Sequence, residues 1–155
     1  GISWQVKDEN FHTGLNMASI PGRWQSLQGF RVPVIVDVAH NGHAAQVIAE
    51  ELLVRAKPTT AVFSCLKDKD MNAIVTPLLN RINAWYVVQI EHQRGERAEH
   101  IAEHITKLGG KVMPVENPDV EAVLAKAVAE VSEDQQILIF GSFYLVAAVL
   151  DKYTS

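Results

Sequence analysis

Seven consecutive residues, Asp37-Val38-Ala39-His40-Asn41-Gly42-His43, set a carboxylate, an imidazole and a carboxamide at the end of an apolar run. A charge such as Asp37 is out of place there unless it works or is paired. It reads either as a ligand-binding carboxylate or as a cap on the adjacent loop. His40 and Asn41 stand at the mouth of the next helix, where free backbone N–H groups favour anions. Asn41 has a second reading as a plain helix N-cap. A second polar cluster, Gly141-Ser142-Phe143-Tyr144, follows the last apolar run and brings two hydroxyls. The structural alternatives are Ser142 as a helix cap and Tyr144 as a half-buried packing residue. Upstream, Pro21-Gly22-Arg23-Trp24-Gln25 supplies a guanidinium, planar and always charged. That group suits a phosphate or a stacked ring, or else is an ordinary surface arginine. Lys67-Asp68-Lys69-Asp70 is by itself a solvated charge run, with Asp70 placed to cap a helix.

Other chemistries find no support. No G-x-G-x-x-G follows a strand, and no G-x-x-x-x-G-K-[ST] occurs. Gly109-Gly110-Lys111 leads into Val112 and a strand, so no phosphate cradle of the P-loop kind is expected. His100-Ile101-Ala102-Glu103-His104 fits H-x-x-E-H, with both histidines on one helix face. Its helix is highly charged and no downstream carboxylate ligand is evident, so a solvated face is expected and no metal site. Cys65, the single cysteine, excludes an internal disulfide and reads as core.

These residues need elements to hold them. Short β-branched runs alternate with amphipathic stretches. Strands are expected at Val32–Val38, Thr60–Cys65, Ala84–Ile90, Lys111–Val115 and Gln136–Phe140. Helices are expected at Ala44–Arg55, Met71–Leu79, Glu96–Leu108, after an Asn117 cap with Pro118 at the first helical position, and at Phe143–Lys152. Arg23–Leu27 is expected to pair with the first strand as an antiparallel hairpin. The fold class is α/β: a doubly wound, mostly parallel sheet of about six strands, the first antiparallel, with helices on both faces. Residues 1–20 form a lead-in segment, partly helical around Asn10–Met17, and residues 21–155 the domain. In such sheets ligands bind beyond the carboxyl ends of the strands, where all the polar clusters fall.

The chain has 155 residues, 48% apolar and 21% charged, with a formal net charge of −4. That composition is globular, and the acidic balance argues against a non-specific nucleic-acid binder. No apolar run reaches the roughly 18 residues of a membrane span. The first residues lack the basic and apolar regions of a signal peptide. A cytoplasmic domain with no membrane and no nucleic-acid partner is expected.

Taken together and in order, Pro21-Gly22-Arg23-Trp24-Gln25, Asp37-Val38-Ala39-His40-Asn41, Asp68-Lys69-Asp70 and Gly141-Ser142-Phe143-Tyr144 resemble a known pattern. It is that of the C-terminal domain of folylpolyglutamate synthase / dihydrofolate synthase, in the Mur ligase superfamily. The resemblance runs from about Asn10 to Tyr153. It implies a larger ADP-forming enzyme whose N-terminal ATPase domain, the partner of this one, carries the P-loop, the Mg²⁺ ligands and the folate site. It implies that ATP phosphorylates a folate or pteroate carboxylate and that the amine of L-glutamate attacks the acyl phosphate. The domain read here would close over ATP and help hold glutamate, and would be inactive alone.

By the same resemblance Arg23 and Asp37 bind ATP, Asp37 at the ribose hydroxyls. His40 faces the reacting centre, near the terminal phosphate or glutamate. Ser142 and Tyr144 approach the glutamate carboxylates. Asn41 belongs to the loop and cap. Gly42 stands where the family pattern has Pro, so Gly42→Pro is expected to be tolerated, stabilising by about 0.4–1 kcal/mol if its φ is compatible. Two alternatives stay open: another Mur-type ligase acting on a peptidoglycan precursor, or a free-standing binding module without catalysis.

Overall fold

The computed structural model describes residues 22–154; the expected lead-in helix lies outside them. Five strands form one sheet: β1 (Gln25–Leu27), β2 (Val34–Val36), β3 (Thr59–Phe63), β4 (Ala84–Val87) and β5 (Gln136–Phe140). Their order across the sheet is β1-β2-β5-β3-β4. β1 runs antiparallel to β2, and the other neighbours are parallel. The helices are α1 (Gly42–Arg55), α2 (Met71–Val75, continued by a 3-10 turn at Thr76–Leu78), α3 (Ala98–Lys107), α4 (Val120–Glu130) and α5 (Phe143–Tyr153).

Side-chain alternation along the strands explains why both faces are covered. Ile35, Ala61, Phe63, Trp85, Leu138 and Phe140 point to one face, where α1, α2 and α3 pack. There Phe63 meets Trp85 edge-on at 5.4 Å and Phe140 at 5.0 Å between ring centroids. Val34, Val36, Val62, Tyr86, Ile137 and Ile139 point to the other face, under α4 and α5. The doubly wound arrangement expected from the strand–helix rhythm is therefore present.

Four helices start on side-chain caps. Asn41, Asp70, Asp119 and Ser142 accept from the N–H groups of Ala44, Ala73, Glu121 and Tyr144. α3 has no cap from its own N-cap residue, Arg97. Gln89, just past β4, supplies one instead, its Oε1 accepting from Ala98 N at 2.7 Å.

Two local expectations change. Lys111–Val115 does not form a full strand: Val112 makes a single parallel bridge to Trp85. Pro114, with fixed φ and no N–H, suits an edge segment better than a longer ladder. The helix after Asn117 starts later than expected, capped by Asp119. Pro118 O accepts from Gln89 N at 2.8 Å, which ties that residue to the sheet rather than to the helix. Asn117 instead accepts from Asp119 N at 3.0 Å, a local turn.

Candidate functional site

β5 lies between β2 and β3, so the chain leaving β2 and the chain leaving β5 emerge side by side. The first turns into α1 on one face and the second into α5 on the other. This divergence opens a crevice at the carboxyl edge, the usual ligand position in such sheets. The two loops are fastened together: Asp37 N donates to Ile139 O at 2.9 Å, and Gly141 N to Ala39 O at 3.0 Å.

Asp37 is fully buried. Its carboxylate is nevertheless satisfied. Oδ2 accepts from Arg23 Nη1 and from Trp24 N at 3.1 Å, and Oδ1 from Ala39 N at 2.9 Å. The Arg23 side chain is 18% exposed against 1% for Asp37, so the guanidinium stands between the buried carboxylate and solvent. Burial lowers the Arg23 pKa below its ordinary value, opposed by the nearby Glu51 carboxylate. Trp24 adopts φ +45°, which is costly for a bulky residue. The conformation is held by the Asp37 bond and by the Arg55 guanidinium, 4.8 Å above the Trp24 ring.

His40 lies at the same edge. Its Nδ1 donates to Val38 O at 3.0 Å. A carbonyl only accepts, so Nδ1 carries the proton and Nε2 of the neutral ring is the acceptor. The ring packs on Phe143, centroids 4.6 Å apart. Asn41 accepts from Ala44 N at 2.9 Å and is a helix cap in this geometry.

Gly42 is the first residue of α1 and packs against α2. A Cβ there would lie 2.9 Å from Ala73 Cβ and 3.2 Å from Ala73 O. The expectation that Pro is tolerated at this position is therefore corrected: the limit is the close approach of α2, not the backbone angle.

Ser142 is 1% exposed and its Oγ accepts from Tyr144 N at 3.0 Å. The hydroxyl proton remains able to donate. Gly141, just before it, has φ +115°, and a Cβ there would fall 1.9 Å from Ser64 O. No side chain fits, so glycine lets β5 and the chain after β3 meet at the crevice. Tyr144 is stacked on His92 at 4.1 Å and 25°. Tyr144 also lines a cavity of about 90 Å³, with Val88, Ile90, Val120 and Leu145 in its wall.

The structure thus joins Arg23 to Asp37 and brings His40 to the first turn of α5, while Tyr144 faces the loop after β4. Asp70 caps α2, and Asp68 pairs with Arg94 at 2.7 Å. The Asp68–Arg94 pair, with Lys67 N donating to Arg94 O at 2.7 Å, holds the loops after β3 and β4 together. His100 pairs with Glu96 at 3.1 Å and His104 bonds Asn72. Among the described residues no group of three or more His, Cys, Asp or Glu could hold a metal ion. Phe143 and His92 were not singled out from the sequence. Phe143 sat inside the Gly-Ser-Phe-Tyr motif, but its partner lies about a hundred residues away and no spacing rule announces such a contact.

Residues 22–143 match the family described as "Mur ligase, glutamate ligase domain". The chain is 32% identical over 149 residues to a dihydrofolate synthase/folylpolyglutamate synthase of Escherichia coli strain K12, which covers 95% of this chain and 34% of that protein. It superposes on Escherichia coli FolC in complex with DHPP and ADP with a TM-score of 0.73, at 32% identity, covering 86% of this chain and 31% of that one. A bifunctional folylpolyglutamate synthase/dihydrofolate synthase with Mn, AMPPNP and L-glutamate bound gives a TM-score of 0.76, at 32% identity, covering 96% of this chain and 35% of that one. The chain therefore spans about a third of the length of the relatives it matches. Among the described residues no helix is long and apolar enough to cross a membrane.

Proposed function

Since the chain belongs to the Mur ligase, glutamate ligase domain family, we propose that it is the carboxyl-terminal domain, residues 21–155, of an ATP-dependent, ADP-forming ligase. The reaction adds L-glutamate to a folate or pteroate carboxylate through an acyl phosphate, in the cytoplasm. Partners of this domain are an N-terminal ATPase domain, which supplies the P-loop and the Mg²⁺ ligands, and the substrates ATP, folate or pteroate, and glutamate. The similar structure that binds Mn, AMPPNP and L-glutamate supports the nucleotide and glutamate of this set.

One observation carries the reading: a guanidinium held by a buried carboxylate at a crevice between two helix N-termini. Such an edge suits an anion, because the cation is aimed and the helix dipoles add to it. Arg23 reaches the phosphates or ring of ATP across the domain cleft. The contacts around Asp37 favour an indirect part for it: with three donors on its carboxylate, it acts at the ATP site by aiming Arg23, and reaches ribose hydroxyls only if Arg23 lets go. His40 stands at the reacting centre with Nε2 free of the tautomeric proton. Ser142 Oγ–H and the first N–H groups of α5 receive a glutamate carboxylate, with Tyr144 bordering that place. Closure of this domain keeps water from the acyl phosphate. Half the site resides elsewhere, so the domain alone turns over neither ATP nor glutamate.

The test uses the full-length enzyme, with initial rates measured as ATP and glutamate are varied in turn. Arg23→Ala is expected to lower kcat/KM for ATP about 10- to 150-fold, the worth of a charged hydrogen bond of roughly 1.5–3 kcal/mol. Ser142→Ala is expected to raise the glutamate KM and spare that of ATP. His40→Ala should lower kcat more than either KM. A full-length protein with no glutamate-dependent ADP formation on any folate or pteroate acceptor defeats the proposal.

A further inference from the structure

The first turn of α5 begins with two aromatic residues, and each lies on a histidine from a different loop of the carboxyl edge. Phe143 packs on His40, which follows β2, and Tyr144 stacks on His92, beyond β4. The two imidazoles are fixed in opposite tautomers. His40 Nδ1 donates to Val38 O at 3.0 Å, so its Nε2 is the acceptor. His92 Nδ1 accepts from Arg94 N at 3.0 Å, so its Nε2 carries the proton.

Phe143 is 41% exposed although it is a large apolar residue at the first position of a helix, where nothing about helix formation requires it. Its packing face is the His40 ring, 4.6 Å away at 46°. One hydrogen bond leaves an imidazole free to pivot about it, and a second ring tilted against it at contact distance restricts that freedom. Val38 itself is anchored, its N–H donating to Gly22 O at 2.7 Å, and Phe143 follows Ser142, whose Oγ caps α5. Both supports of the His40 ring are therefore rigid.

We propose that Phe143 is a positioning residue for His40: with the Val38 carbonyl it holds the imidazole in the Nδ1–H tautomer and keeps Nε2 as the proton-accepting nitrogen. The catalytic meaning rests on the reading of His40 given above; the positioning itself does not. A ring free to turn would exchange Val38 O for water and sample the other tautomer, which has no acceptor at Nε2.

Long-range ¹H–¹⁵N spectra of the histidine rings in the 155-residue chain test this directly. The chain is expected to show His40 as a single Nδ1–H tautomer and His92 as the Nε2–H tautomer. Phe143→Ala should lose the single-tautomer pattern at His40 and leave His92 unchanged, while Phe143→Tyr, which keeps a ring, should retain it. The unchanged His92 signals and a native melting curve establish that the variant is folded. A His40 pattern that is the same in Phe143→Ala as in the parent chain overturns the proposal. In the full-length ligase Phe143→Ala should also lower kcat on the order of tenfold with the ATP KM unaltered, as expected when a reacting group is misplaced. If the tautomer shifts and kcat does not, Phe143 still positions His40, and the reading of His40 as a group at the reacting centre fails instead.

Discussion

Replacing Gly42 by Ala sets two opposed effects against each other, and the structure indicates which wins. Gly42 begins α1 and does not have a positive φ, so a side chain is not excluded by its own backbone. On that ground alone Gly→Ala stabilises by about 0.4–1 kcal/mol, by reducing the freedom of the unfolded chain. Against it, the new Cβ would lie 2.9 Å from Ala73 Cβ, 3.2 Å from Ala73 O and 3.4 Å from Ala73 C. None of these atoms is the end of a flexible side chain. Ala73 is in α2, whose Met71, Ile74 and Val75 are buried in the core, so relief requires moving a packed helix. Inserting a methyl against such a wall costs about 1–3 kcal/mol. The midpoints leave a net loss of about 1.3 kcal/mol, or roughly 3–5 °C in Tm for a domain of this size.

The assay is urea and thermal unfolding of Gly42→Ala, Ala73→Gly and the double variant. Ala73→Gly alone should cost about 1 kcal/mol from helix propensity. In its presence the Gly42→Ala penalty should shrink, giving a favourable coupling of about 0.5 kcal/mol or more. Gly42→Pro carries the same Cβ and should also destabilise. Gly42→Ala at or above the parent stability, with no coupling to Ala73, would show that α1 and α2 are not in this contact and would refute the reasoning.

Removing the Arg23 guanidinium leaves the buried Asp37 carboxylate with two backbone donors only; Arg23→Ala is expected to cost about 3 kcal/mol, the low end for breaking a buried pair, and an unchanged melting temperature would count against the geometry. Burial, with the Glu96 carboxylate adding, pushes the Cys65 thiol up from 9.0 to about 12. The unfolded chain therefore releases this proton first, and stability contributed by the neutral thiol falls as pH rises from about 9 toward 12. Cys65→Ala should flatten that alkaline limb by up to about 1.4 kcal/mol per pH unit, measured by urea unfolding at several pH values; burial also raises the Tyr86 hydroxyl, so part of the slope should remain.

The layers of the fold were legible because period-2 alternation and helix-length amphipathic runs report burial locally. Val62 and Ile139 against Phe63 and Phe140 show the two faces in the sequence itself. Caps were partly legible for the same reason: Asn41, Asp70 and Ser142 act within three residues of themselves. Asn117 misled because its cap reading depended on where Pro118 O would find a donor, and that donor, Gln89 N, comes from another element. The Lys111–Val115 run has strand composition, yet only Val112 reaches Trp85, and composition does not report how long an edge stays in register. Gly42 misled similarly, because the atom that limits it belongs to Ala73.

The same distinction separates what the motifs say about the site from what the fold adds. Asp37 and Arg23 each looked like a ligand contact when read along the chain. Once β1 folds back antiparallel on β2, with Gln25 opposite Val36, the residues before one and after the other must meet, and a buried carboxylate there needs a cation. The pair is thus first a consequence of the hairpin, and only then a way of presenting a guanidinium. His40 and Phe143 follow the same logic across a larger gap. β5 enters beside β2, so the chain after each strand is forced to the same edge, and the Gly141 N to Ala39 O bond fixes their separation. Gly141, with no room for a Cβ beside Ser64 O, sets how near β5 can carry α5 to that edge. A larger residue there would move the first turn of α5 away, and with it the ring against which His40 is held.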